Sequence, residues 1–200
     1  MNSRESPGGS SAHASHVSGV VLCGGHSSRM GRDKGLIERN GIQWARIIYN
    51  SLSLILKNVL VSIREEQRAT YEKVFSSEVL IADSVDTVQG PMRGLISCFL
   101  KCDTDILLLG CDMPDLRQSL SHLLQLREEN LDYDCLAYRT ARVEPLCAIY
   151  GKNILKQLRD RPPETFSLER LLERSRSLFI QADENQTAEL RNYNEPGPVL

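Results

Sequence analysis

Long apolar runs are missing from this chain: no stretch of its 200 residues approaches the ~18 needed to cross a bilayer. A basic excess is missing too, with 24 Lys and Arg against 26 Asp and Glu and a formal net charge of -2. A general nucleic-acid or anionic-membrane surface needs such an excess, so neither partner is expected. The six cysteines (Cys23, Cys98, Cys102, Cys111, Cys135 and Cys147) include no CxxC pair and no Cys/His metal spacing. Five of them lie in apolar stretches, which points to reduced, buried thiols rather than a disulfide framework or a structural zinc site. The histidines, His13, His16, His26 and His122, form no metal cluster. Residues 1–16 lack both the apolar stretch of a signal peptide and the Arg-rich pattern of a transit peptide. They are expected to be a disordered tail ahead of one domain over 17–200, in a cytoplasmic, reducing setting.

What is present is the composition of a globular protein, 41% apolar and 25% charged. Ser18–Cys23 is short, β-branched and apolar on both faces, as a central parallel strand reads. Val59–Ile63, Val79–Ala82 and Asp105–Gly110 read as further strands, the last the most apolar, and Asp134–Tyr138, Pro145–Tyr150 and Leu178–Ile180 are also strand-like. Between them, apolar residues recur at helical spacing. Trp44, Ile47, Ile48, Leu52 and Ile55 predict a helix of roughly 14 residues. A polar helical segment is expected around Glu65–Phe75. Met92 to Leu100, Leu116 to Leu124 and Phe166 to Arg174 mark three more helices. Strands alternating with helices predict an α/β fold: a Rossmann-like, doubly wound, mostly parallel sheet with helices on both faces.

In such a sheet, ligands bind beyond the carboxyl ends of the strands. Gly24 and Gly25 follow the first strand, Asp83 the third and Asp112 the most apolar one. The loop from Gly24 to Lys34 suits phosphate: bare backbone presents its N–H groups, and Arg29 and Lys34 add positive charge, with Asp33 placed to orient Lys34. It matches neither the P-loop nor the dinucleotide fingerprint. A solvated glycine-rich turn would carry the same letters, Asp112 could equally cap a helix, and Asp83 could equally end a strand in a turn.

The run Leu22-Cys23-Gly24-Gly25-His26-Ser27-Ser28-Arg29-Met30-Gly31-Arg32-Asp33-Lys34 resembles the signature of the molybdenum cofactor guanylyltransferases and their nucleotidyltransferase relatives, with Cys23 where that family usually has alanine. Further resemblances follow in order. They are Gly90-Pro91-Met92-Arg93-Gly94, Cys111-Asp112-Met113-Pro114, Glu144-Pro145-Leu146, Ser167 to Leu172, and Asn192-Tyr193-Asn194.

The resemblance implies a fold like that of the nucleotide-diphospho-sugar transferases. It also implies transfer of GMP from GTP to molybdopterin or its molybdenum-bearing form, with release of pyrophosphate. Magnesium would be the cofactor, with Asp112 as its ligand, and Lys34 and Arg29 would be catalytic. Leu22, Cys23, Gly24, Gly25, Lys34, Ser62, Asp83, Gly90, Pro91, Gly94 and Asp112 would bind the nucleotide. Ser62 stands where the family often has asparagine. Glu144, Pro145, Asn192 and Asn194 would line the acceptor pocket, although asparagines near a chain end also form turns. Molybdoenzyme clients or other cofactor-biosynthesis proteins are the protein partners implied. The competing readings are a relative using CTP or a sugar phosphate, and a non-catalytic GTP- or cofactor-binding delivery module.

Overall fold

The computed structural model describes residues 16–24 and 33–193. Nine strands are described: β1 (Val17–Leu22), β2 (Glu38–Arg39), β3 (Ile42–Gln43), β4 (Val59–Ile63), β5 (Leu80–Ala82), β6 (Asp105–Gly110), β7 (Cys135–Arg139), β8 (Val143–Tyr150) and β9 (Ser177–Gln181). The described helices are α1 (Trp44–Ser53), α2 (Arg68–Tyr71), α3 (Pro91–Cys102), α4 (Gln118–Glu129), α5 (Lys152–Asp160), α6 (Leu168–Arg174) and α7 (Glu184–Glu189).

Seven strands form one sheet in the order β5-β4-β1-β6-β8-β7-β9. The first four are parallel, β9 runs parallel to β7, and only β8 is reversed against both of its neighbours. Parallel strands are covered on both faces, so their side chains are apolar on both. Every residue of β1 and β4 is buried accordingly. Odd-numbered residues of β1 and β6 (Val21, Leu107, Leu109) pack under α1 and α4, against Ile48, Leu52, Leu120 and Leu123. Even-numbered ones (Val20, Ile106, Leu108) pack under α3, α5 and α6, against Leu95, Phe99, Leu155 and Leu172. The mostly parallel doubly wound sheet is the architecture expected.

Several local expectations differ. The helix of roughly 14 residues at Trp44 is ten long. Ser51 and Ser53 hydroxyls bond back to Ile47 and Tyr49 carbonyls near its end, an arrangement that weakens a helix. The segment Glu65–Phe75 holds only a 3-10 turn and the four-residue α2. The ribbon β2–β3, α5 and α7 were not anticipated. All six cysteines are free and five are buried, and burial pushes the Cys135 thiol up to about 12, as the reading of inert reduced thiols requires.

Candidate active site

The carboxyl ends of β1, β4, β5 and β6 share one edge of the sheet. The reversed β8 brings its beginning to that edge: the pairing Leu109↔Cys147 continues to Gly110 beside Leu146. Three clusters lie along the edge.

At the centre, the Lys34 ammonium donates to Asp112 Oδ2 at 2.9 Å. Lys34 opens a short 3-10 turn after the glycine loop, and Asp112 follows β6 by two residues. Both side chains are mostly covered, at 19% and 16% exposure. Asp112 is no helix cap, because α4 begins six residues later at Gln118. A Cβ on Gly110 would stand 2.9 Å from Asp112 Oδ1, so glycine there leaves the carboxylate room.

Asp33 does not need to orient Lys34 for the turn to hold. Its Oδ1 accepts the Gly35 N–H at 3.0 Å and the Tyr71 hydroxyl at 2.9 Å. Its Oδ2 accepts from Gln67 Nε2 at 2.5 Å. Burial pushes the Tyr71 hydroxyl far up, so it remains a protonated donor. Gln67, itself buried, also donates to the Cys23 carbonyl and accepts the Arg64 N–H at 2.8 Å. One amide side chain therefore ties both ends of the glycine loop to the end of β4.

At the β4–β5 end stands Asp83. Its N–H bonds to the Ile63 carbonyl, extending the β4–β5 ladder by one residue. Oδ1 accepts the Ser62 hydroxyl at 3.2 Å, and Oδ2 faces Gly24, 3.2 Å from where a Cβ would be. Burial raises the Asp83 carboxyl above the usual range, and the Ser62 hydrogen bond, Arg93 and Arg64 only partly oppose it. Gly90, with φ +61°, leads into α3 and Pro91 is its first residue, an ordinary placement for proline.

At the β6–β8 end, Tyr193 N–H bonds to the Asp112 carbonyl at 2.9 Å and its hydroxyl donates to Asp115 Oδ2 at 2.5 Å. Arg39, from the β2–β3 ribbon, donates to Asp115 Oδ1 at 2.5 Å and covers the Tyr193 ring, with Trp44 at the ring's edge. The closing segment is thereby clasped beside Asp112, with Asn192 exposed next to it. Glu144 accepts from the Thr140 hydroxyl at 2.6 Å, and both Glu144 and Pro145 are half-buried at the start of β8.

Those expected site residues that are described thus fall on one edge, with three adjustments. Ser62 has no exposed surface, and its hydroxyl is engaged by Asp83. That hydrogen bond helps to position the carboxylate. Gly94 is buried: a Cβ there would fall within van der Waals contact of Ser62 Oγ and Leu22 Cδ1, so it admits α3 close to the sheet. Leu22 and Cys23 are buried with their carbonyls used internally, by Cys111 N–H and Gln67, and the Cys23 N–H bonds to Ser62. They form the floor of the site. Gly25, Arg29 and Asn194 lie outside the described residues. Gln67, Tyr71, Arg39, Asp115 and Tyr193 were missed. Arg39, Asp115 and Tyr193 stand in or near a recognised motif, whereas Gln67 and Tyr71 carry no such signal.

A model of the MobA-like NTP transferase domain matches residues 19–179. A molybdenum cofactor guanylyltransferase of Campylobacter jejuni subsp. doylei is 32% identical over 139 residues, 68% of this chain and 69% of that protein. A protein of Nostoc sp. named probable molybdenum cofactor guanylyltransferase is 31% identical over 150 residues, 72% of this chain and 70% of that one. The crystal structure of molybdopterin-guanine dinucleotide biosynthesis protein A from Archaeoglobus fulgidus superposes with a TM-score of 0.72 at 20% identity, covering 90% of this chain and 93% of that one. With the family model spanning most of the chain and the same sheet edge carrying its polar residues, the chain belongs to the MobA-like NTP transferase family.

Proposed function

We propose that this chain transfers GMP from GTP to molybdopterin or its molybdenum-bearing form, releasing pyrophosphate. The observation that carries this is the Lys34–Asp112 pair, which sets a cation and a hard-oxygen ligand side by side where three strand ends meet. The edge then divides by chemistry. A carboxylate repels phosphate, so the Asp83 end takes the base. The triphosphate lies over Lys34, and the acceptor enters from Glu144, Pro145 and Asn192, with Asn194 assigned to the same pocket.

An oxygen of the acceptor's terminal phosphate attacks the α-phosphorus of GTP. The new P–O bond forms as the α–β bridging bond breaks, and the electron pair leaves with pyrophosphate. The attacking oxygen is already charged, so no base is required, and catalysis is positioning plus charge. Lys34 stabilises the non-bridging oxygens that gain charge in the transition state. Arg29 is assigned to the β and γ phosphates. Asp112 is assigned to magnesium, and a single carboxylate completed by substrate phosphates suits that ion. When bound, magnesium supplies charge neutralisation for the leaving pyrophosphate. Lys34 holds Asp112 in the meantime through a compact ammonium on a flexible stem, which can turn to phosphate when both arrive.

The test is product analysis after mixing protein, magnesium, GTP and molybdopterin, with CTP and sugar phosphates as parallel arms. Guanine dinucleotide and stoichiometric pyrophosphate are expected from GTP alone. Turnover with CTP instead, or none with any pair, overturns the assignment.

A further inference from the structure

We propose that Arg64 reads the guanine base, donating from its guanidinium fork to O6 and N7. This rests on the GTP reading above and names the residue that sets its base selectivity.

Arg64 follows Ile63, the last residue of β4, and so stands at the same edge as Gly24 and Asp83. A Cβ on Gly24 would lie 3.6 Å from Arg64 Cγ, 3.8 Å from Arg64 N and 3.2 Å from Asp83 Oδ2. The arginine stem therefore runs along bare backbone, beside the carboxylate. Its main chain is pinned by Gln67, whose Oε1 accepts the Arg64 N–H at 2.8 Å. Gln67 also holds the Cys23 carbonyl and Asp33, so the start of the arginine stem is fixed relative to the glycine loop.

This end of the site needs a base reader. Ser62 sits at the position expected to touch the nucleotide and has no surface to do so. Arg64 is two residues further along the strand, which returns its side chain to the same face of the sheet but beyond the last paired residue. Distance fits as well. Asp83 follows β5 and Asp112 follows β6, three inter-strand steps away in the order β5-β4-β1-β6, or about 14 Å. An extended nucleoside triphosphate with its phosphates over Lys34 thus brings its base to Arg64 and Asp83.

The two side chains complement guanine on two edges. Asp83 offers acceptors for the adjacent donors N1–H and N2–H2. Arg64 offers a planar pair of donors for the adjacent acceptors O6 and N7. Adenine places an amino group where O6 would be and an acceptor where N1–H would be, so it opposes both. Cytosine is too small to reach both side chains from one position.

The test compares magnesium-dependent binding of GTP, 7-deaza-GTP (no N7 acceptor), ITP (no 2-amino group) and ATP by calorimetry. It uses wild-type protein, Arg64→Ala and Arg64→Lys. Wild type should bind 7-deaza-GTP about tenfold more weakly than GTP, the loss expected for one charge-assisted hydrogen bond. Arg64→Ala should bind GTP and 7-deaza-GTP equally, about tenfold or more below wild-type GTP, and Arg64→Lys, whose single ammonium replaces the planar fork, should fall between the two. The ITP penalty should be the same in all three proteins, because its missing group faces Asp83. Arg64→Lys keeps the charge and the packed stem, so its folding guards against a structural explanation. Persistence of the 7-deaza penalty in Arg64→Ala, or an equal fall for every nucleotide, overturns the proposal. If wild type binds no GTP at all, the nucleotide reading itself fails, a separate result.

Discussion

A single methylene or charge decides much at this edge. Lys34 shows this best. Replacing it with alanine should leave GTP affinity within about tenfold while turnover falls about 10²–10³-fold, the usual cost of removing a group that stabilises transition-state charge. Single-turnover rates measured beside equilibrium binding separate the two, and unchanged turnover would remove Lys34 from the chemistry. Asp83 illustrates a cost of function. Its carboxyl is raised by burial, so the charged form is less stable in the folded chain than in the unfolded one. Its contribution is favourable below the unfolded carboxyl's ordinary pKa and is lost as pH rises through the folded one. Asp83→Asn should therefore raise stability at neutral pH by about 1 kcal/mol, a few degrees in Tm, while weakening GTP binding. Thermal melts should show the gain shrinking as pH drops into the carboxylate range. Gly94→Ala should act oppositely, costing about 1–3 kcal/mol because its methyl meets Ser62 and Leu22 under α3.

At the level of elements, α4 begins on a cap borrowed from α7. The residue before α4, Arg117, makes no side-chain cap. Glu189, the last residue of α7, supplies one: its oxygens accept the N–H groups of Arg117, Gln118 and Ser119 at 3.1, 3.3 and 3.0 Å. The carboxylate satisfies orphan donors and meets the positive end of the α4 dipole. Burial pushes Glu189 up, and these N–H groups outweigh it and hold the carboxyl below the usual range. A depressed value means stabilisation above the unfolded carboxyl's pKa, lost as pH falls through the folded value. Glu189→Gln should cost about 1 kcal/mol near neutrality and reduce the acid sensitivity of Tm. Because α7 leads directly to Asn192 and Tyr193, the same change should raise KM for the acceptor more than for GTP.

Elements also show what was legible in the sequence. Strands of the parallel half announced themselves because burial on both faces demands unbroken Val, Leu and Ile. The helices that pack on them announced themselves by period. Of the unread pieces, α5 does carry such a stripe, with Ile154, Leu155 and Leu158 buried on one side, and was overlooked; the other two lack those signals. The α7 sequence, Glu-Asn-Gln-Thr-Ala-Glu, has no apolar stripe, since a carboxylate docks it. The ribbon β2–β3 is two residues per strand, marked only by the Asn40-Gly41 turn at positive φ. In the site, motif residues were readable because glycines and acids stand out after apolar strands. Gln67 and Tyr71 were not, since their partners are 34 and 38 residues away in the chain.

Considered as a whole, the molecule assigns different work to the two ends of β6. Asp112 at one end meets a lysine. Asp105 at the other meets Arg127 at 2.7 Å, with both side chains nearly buried, and accepts the Lys152 N–H at 2.7 Å. Arg127 also donates to the Tyr133 carbonyl at 2.6 Å, so one guanidinium joins α4, β6 and the approach to β7. Arg127→Met should destabilise by about 3–5 kcal/mol by leaving a buried carboxylate short of its partner. Turnover per folded molecule should not change, since the pair lies at the opposite edge from Lys34. Denaturant midpoints beside active-site titration will show whether stability and catalysis separate in this way. Among the described residues, no helix is long and apolar enough to cross a membrane.

The reversed direction of β8 carries one more consequence. Everything assigned to GTP hangs on segments that leave the sheet, whereas Glu144 and Pro145 sit on a segment that enters it, just after the tight 139–143 hairpin. That hairpin can lengthen or change its letters without shifting any strand that holds the nucleotide. A lineage under pressure to modify a new recipient could therefore redesign one bend and inherit the donor machinery intact.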